Sequence, residues 1–421
     1  MTTQPAAGAA ATSSNREAKA HLPALDGLRG LAILLVMCGH VSERFLYISH
    51  PWSTLARTGY AGWTGVDLFF VLSGFLITGI LWESRTARHY FRNFYLRRIL
   101  RLSPLYYTTL LVIFVLWPLL LPHLSDAARL AAPLAAQIRD TKQTSACWLW
   151  YLTYSVDFLV AFKGYKFPSH FWTLAVEEHF YLVWPFLIHR IERSKLIVLT
   201  GALAVGALLL RFALYPFVSP PALYVLTPCR LDGLALGAMI ALVMRGKHGP
   251  ATLQRFARVS FPWLLVVIAA LAICLRGWRQ YGFIEQTFGY SLTAALWASL
   301  LILTLMEPAW THAFSAPWLG FLGKYSYGIY VIHAFLFDYL TRLFDLDTLS
   351  QLSPVHAILR AAGFFISTFT LSILAAMLSW RILEQPFLRL KALFPYESEH
   401  SASGAELVTA LAHTPDAPNT P

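Results

Sequence analysis

Apolar runs of about 20 residues recur along almost the whole chain, the length a helix needs to cross a ~30 Å hydrocarbon layer at ~1.5 Å per residue. They fall near 28–46, 64–83, 104–121, 146–162, 169–189, 195–215, 228–244, 259–276, 287–306, 321–341 and 355–380. Only 13% of the 421 residues are charged and 57% are hydrophobic, whereas soluble domains carry about 25% charged residues. Disorder and a soluble enzyme are therefore excluded as classes, and the reading is an all-α, polytopic membrane helix bundle. The ends differ in composition. Residues 1–21 and 397–421 are polar and small, and are expected to be disordered cytoplasmic tails around one membrane domain at 22–396.

The chain has 33 Lys+Arg against 22 Asp+Glu, a net charge of +11. In a membrane protein such an excess marks cytoplasmic loops rather than nucleic-acid binding. The run Arg85, Arg88, Arg92, Arg97, Arg98, Arg101 sets the inner side. If 146–162 crossed the membrane, Arg190, Arg193, Lys195, Arg245 and Lys247 would fall outside. Treating it as a re-entrant or extracytoplasmic element brings them inside. About ten spanning helices follow, with both termini cytoplasmic and an outer element over roughly 122–168 roofing a cavity. The four cysteines, Cys38, Cys147, Cys229 and Cys274, are widely spaced and form no metal-binding pattern, so no metal is expected.

Ionisable residues inside spans are costly and usually face the bundle interior. In LRGLAILLVMCGH, Arg29 and His40 are eleven residues apart. They share a helical face to within about 20°, separated by about 16 Å of rise. A cation thus marks the inner mouth and an imidazole stands near mid-membrane. An imidazole can deprotonate a hydroxyl at neutral pH, and the arginine suits an anionic donor. A packing histidine beside an interfacial arginine explains the spacing equally well. In FWTLAVEEHFYLVWP, adjacent Glu177 and Glu178 point about 100° apart, so one at most faces a cavity well. Asp67 lies at the outer end of a helix whose Gly65, Ser73, Gly74 and Gly79 suit close packing. Arg97 and Arg101 share a face, with Arg98 beside them, and guanidinium forks match phosphate oxygens. Basic loops also serve simply to set topology. Arg230 with Asp232 reads as a site or a structural ion pair, and His333 as a substrate contact or a packing residue.

These motifs give the chain a resemblance to the acyltransferase-3 family of integral membrane O-acyltransferases. The blocks LDGLRGLAILLVMCGH, GVDLFFVLSGFLITG, FYLRRILRLSPLYY, FWTLAVEEHFYLVWP, RLDGLALGAMIA, GKYSYGIYVIHAF and RILEQPFLRL occur in the family's order over roughly 22–390. The resemblance implies a catalytic His40, with Glu177 or Glu178 in support. It implies acyl-coenzyme A handling by Arg29, Arg97, Arg98 and Arg101, acetyl-coenzyme A being the usual donor. Asp67, Trp172, Arg230, Asp232 and His333 are the expected substrate-side residues. The implied reaction is O-acylation of an envelope glycan, lipid-linked sugar or secreted metabolite. His40 would act as base or acyl carrier, in a bacterial inner membrane among its lipids and without nucleic acid. His179 stands where the family has Gln, and Asp157 where it has Asn. The chain ends before the extracytoplasmic esterase-like domain of many members, so the acceptor site is expected within the membrane domain. A transporter or flippase for a polar or lipid-linked substrate is the alternative from another class, and a catalytically inert scaffold a third.

Overall fold

The structure, a computed structural model, describes residues 22–45, 59–120, 146–164 and 168–396, and among these every regular element is helical. The two tails and residues 122–145, most of the expected outer element 122–168, lie outside the described residues. Helix α1 (Pro23–Phe45) is followed by a 3-10 turn at Ala61–Thr64 that opens α2 (Gly65–Ser84). Helix α3 (Tyr90–Leu111) continues through a π-helical turn, Val112–Leu116. Two short helices come next, α4 (Trp148–Leu152) and α5 (Val156–Lys163), and then α6 (Trp172–Arg190) and α7 (Arg193–Leu214). Helices α8 (Pro220–Val225), α9 (Thr227–Val243) and α10 (Gly249–Cys274) precede α11 (Tyr290–Met306), which a π turn at Glu285–Gly289 introduces. Helices α12 (Pro308–Phe314), α13 (Pro317–Leu343) and α14 (Pro354–Ser379) follow. A π turn at Trp380–Glu384 then leads to α15 (Gln385–Arg389). Proline sits in the first turn of α8, α9, α10, α12, α13, α14 and α15, where its missing N–H has no helical partner to lose.

Eight helical stretches are long and apolar enough to cross a membrane. These hold α1, α2, α3, α7, α9, α10, α11 and α14. Helices α6 and α13, at 19 and 27 residues, have spanning length but carry Glu177, Glu178 and His179, and Lys324 and His333. The sequence expectation of about ten therefore stands at eight by length and apolarity together. The apolar run 146–162 forms helices of only five and eight residues, too short to cross. Exteriors and interior separate by burial. In α1, α2, α9 and α11 61–72% of the apolar window is buried, against 6% in α10 and 22% in α7.

Backbone-to-backbone crossings set the interior. A Cβ on Gly74 would lie 2.0 Å from the Leu234 carbonyl oxygen, and one on Gly237 2.0 Å from that of Val71. Only hydrogen fits at either place, so α2 and α9 meet without intervening side chains. Gly30 and Gly323 do the same for α1 and α13, with 2.1 Å to Leu319 O and 1.9 Å to Asp26 O. The bundle has two chemically distinct ends. At the arginine-rich end, Arg245 pairs with Glu83, Arg258 with Glu307, and His189 Nδ1 lies 3.2 Å from Arg85 O. At the aromatic end, Trp63 donates to Trp278 O and Tyr290 to Gln280 O.

Candidate active site in the bundle core

A cavity of about 590 Å³ opens at the arginine-rich end, between the first turns of α1 and α13 and the start of α15. Asp26, Arg29, Arg101, Lys324, Tyr327 and Glu384 line it, with the hydroxyls of Ser315 and Ser326. A second cavity of about 190 Å³ adjoins it, sharing Arg29, Arg101, Ser326 and Tyr327. It reaches inward to Ser73, Thr173, Glu177 and Tyr330. Four cations thus line one passage from the arginine-rich end toward the middle of the bundle: Arg29, Arg98, Arg101 and Lys324. Arg29 is held by Asp26, one turn before it. The Arg98 guanidinium lies 5.1 Å from the Tyr181 ring.

Arg97 is placed differently from its neighbours. Its Nη1 donates to Lys391 O at 2.9 Å and Phe394 O at 3.0 Å, and its guanidinium stacks 4.6 Å over Tyr396. Asn93 Nδ2 donates to Pro395 O at 2.7 Å. One face of α3 therefore binds the segment after α15, while Arg98 and Arg101, three residues apart, face the passage. Lys324 was missed by sequence reasoning. The signal was its charge within the long helix α13: Lys324, Tyr327, Tyr330 and His333 follow at three-residue steps, a ridge that winds about half a turn round the helix.

The two adjacent glutamates part as helical geometry requires. Glu177 lines the inner cavity and accepts a hydrogen bond from Ser73 Oγ. Glu178 turns elsewhere, and its Oε1 is buried with no hydrogen-bond partner among the described residues. His179 Nδ1–H donates to Thr227 Oγ1 at 2.8 Å, which donates to Asp157 Oδ2 at 2.8 Å. The two departures from the family pattern thus meet through one threonine and bind α5 to α6 and α9.

Beyond Tyr330 stand three imidazoles. The His40 ring centroid is 5.1 Å from that of His333, which is 5.6 Å from His170 and 5.7 Å from Tyr330. His40 is partly exposed and lies three residues before the end of the apolar span Pro23–Glu43. It is thus nearer the aromatic end than the mid-membrane depth expected from sequence. His170, absent from the sequence candidates, precedes α6 and directs Nε2–H at Val331 O, 3.2 Å away. Tyr330 donates its hydroxyl to His170 O at 2.7 Å and meets Thr173 Oγ1 at 2.5 Å.

Asp67, Trp172, Arg230 and Asp232 are gathered in a separate buried cluster and line neither cavity. Its pairing differs from the expectation of an Arg230–Asp232 pair. Arg230 bonds Asp67, while Asp232 pairs at 3.0 Å with Arg211, a partner from α7 that sequence reasoning did not single out. Tyr290, at 4.3 Å, Tyr224, at 5.0 Å, and Trp172, at 5.9 Å, surround the Arg230 guanidinium. No group of three or more potential metal ligands occurs among the described residues.

Comparison with known proteins agrees with this architecture. Residues 22–377 match the family model described as an acyltransferase domain. The peptidoglycan O-acetyltransferase OatA of Listeria monocytogenes is 28% identical over 89% of this chain and 57% of its own length. A Staphylococcus aureus protein named "putative O-acetyltransferase" is 27% identical over 89% of this chain and 58% of its own. A Bacillus subtilis protein named "putative peptidoglycan O-acetyltransferase" is 28% identical over 74% of this chain and 48% of its own. The chain spans about half the length of these relatives. No solved structure matches. The match over residues 22–377, on a helical bundle with eight described stretches long and apolar enough to cross a membrane, places this integral membrane protein in the acyltransferase-3 family.

Proposed function

We propose that the protein transfers an acyl group, acetyl in the simplest case, from acyl-coenzyme A to a hydroxyl of an envelope glycan, lipid-linked sugar or secreted metabolite. The observation that carries this reading is the passage lined by Arg29, Arg98, Arg101 and Lys324, which ends one aromatic ring short of the His40 and His333 pair. Positive residues gather at the cytoplasmic ends of membrane helices. The arginine-rich end is accordingly cytoplasmic, as are both termini, in a bacterial inner membrane. Four cations against Asp26, Glu384 and Glu177 suit the phosphates of the donor. Arg29, Arg101 and Lys324 hold them, and the thioester arm reaches inward past Tyr327 and Tyr330.

At His40 the imidazole removes the proton of the acceptor hydroxyl as its oxygen attacks the thioester carbonyl. Glu177, oriented by Ser73, sits on the donor side of Tyr330 and sets the charge of the inner cavity beside Arg98. The Arg230–Asp67 and Arg211–Asp232 pairs brace the aromatic end, where the acceptor arrives. Peptidoglycan, the substrate named for two of the relatives, is one candidate acceptor.

The test is acceptor-dependent release of free coenzyme A thiol by the purified protein given acetyl-coenzyme A. Mass spectrometry of envelope glycans and lipids, with and without the protein, identifies the product. Movement of a glycan or lipid-linked sugar across vesicles without thiol release would replace this reading with the transporter alternative.

A further inference from the structure

We propose that His333 is the positioning residue of His40, the neutral acceptor that fixes which nitrogen of the His40 ring faces the substrate. This rests on the acyl-transfer reading above and adds a second imidazole to it. His333 Nδ1 faces two carbonyl oxygens of its own helix, Tyr330 O at 2.8 Å and Ile329 O at 3.0 Å. Carbonyls only accept, so Nδ1 carries the proton and Nε2 presents a lone pair. That Nε2 is buried without a hydrogen-bond partner among the described residues, in a side chain 1% exposed. An orphaned buried acceptor marks a place where a donor is needed.

Three titratable rings surround it: His40 from α1, His170 from the turn before α6, and Tyr330 from α13 itself. His170 directs its Nε2–H to Val331 O, and Tyr330 gives its hydroxyl proton to His170 O. The His40 ring is the nearest of the three, its centroid 5.1 Å from that of His333, and a turn of the ring or a single bridging water brings its N–H to Nε2.

With one ring N–H directed at His333 Nε2, the other nitrogen of His40 bears its lone pair toward the acceptor. The C–O bond forms as the acceptor oxygen attacks the thioester carbon, and the hydroxyl proton passes to His40. The C–S bond then breaks, and the departing thiolate takes the proton to leave as free thiol. In between, the imidazolium of His40 is held by a charge-assisted hydrogen bond to His333. The logic is that of the carboxylate behind the histidine of a serine-protease triad, with a neutral imidazole as the orienting acceptor.

Two amide substitutions separate this role from packing, since an amide placed by Gln reaches the position of Nε2 and one placed by Asn only that of Nδ1. His333→Gln and His333→Asn are purified as full chains in detergent beside wild type and His40→Ala, and monodispersity and thermal midpoint are checked first. His333→Gln is expected to keep kcat within about tenfold. His333→Asn is expected to lose about 10²-fold in kcat, with KM for acetyl-coenzyme A within about threefold. Equal effects of the two amides, whether both active or both impaired, would overturn the proposal. Transfer surviving in His40→Ala would remove His40 as the base and the proposal with it, whereas wild type that releases no thiol on addition of acceptor would overturn the acyl-transfer reading itself, so the two failures are distinct.

Discussion

Arg97 and Arg101 are one turn apart on a helix, yet the structure gives them opposite expected consequences. Arg101 lines both compartments of the passage, whereas Arg97 is tied to the carbonyls of Lys391 and Phe394. A charge-assisted hydrogen bond to a phosphate contributes about 1.5–3 kcal/mol. At about 1.4 kcal/mol per decade, Arg101→Ala should raise the Kd for coenzyme A by about 10- to 100-fold. Arg97→Ala removes two hydrogen bonds that hold the segment after α15, so it should leave Kd within about threefold and lower the thermal midpoint instead. Isothermal titration of detergent-purified protein with coenzyme A, at low and high ionic strength, measures both. Added salt should shrink the Arg101 effect, because screening weakens the cation–phosphate attraction. An affinity loss for Arg97→Ala equal to that of Arg101→Ala would refute the assignment of the passage.

Other expectations follow from the same geometry. Glu177→Gln should lower the transfer rate by about 10- to 100-fold and Glu178→Gln by less than about threefold, since only Glu177 lines the inner cavity; equal losses in a thiol-release assay would contradict this. Asp67→Asn strips Arg230 of its directly bonded carboxylate in a fully buried site and should cost about 3–5 kcal/mol, read as a fall in thermal midpoint, with the double replacement Asp67→Leu and Arg230→Met recovering much of it. The hydrogen bond from Arg258 holds the Glu307 carboxyl below the usual glutamate range. Its stabilising effect is then full above the ordinary glutamate value and fades as pH falls through the depressed native one, so the midpoint difference between wild type and Glu307→Gln should vanish at acid pH. A constant difference would mean the pair has no linked stability.

Local spacing carried much of this structure, and long-range partners carried the rest. The Arg29–His40 stripe and the divergence of Glu177 from Glu178 follow from ~100° per residue alone. The short, non-crossing helices at 148–163 follow from where the positive loops must lie. Arg97 could not be told from Arg101 in this way, because what separates them is a carbonyl 294 positions away. Likewise Asp232 is the sequence neighbour of Arg230, but its carboxylate partner is Asp67, 163 positions earlier. The depth of His40 was misjudged since spacing measures distance along a helix and not where its end is placed. Lys324 was legible as a charge inside a long helix but easily passed over, standing among apolar and aromatic residues that look like ordinary core.

A reactive analogue of the donor tests the central idea most directly. Bromoacetyl-coenzyme A carries an electrophilic carbon where acetyl-coenzyme A carries its acyl group, and peptide mass spectrometry reports what it alkylates. The label should fall on His40, be blocked by excess coenzyme A, and weaken in Arg101→Ala. Alkylation confined to Lys324 or to other groups at the arginine-rich end, with His40 untouched, would contradict the passage as a route from donor to imidazole.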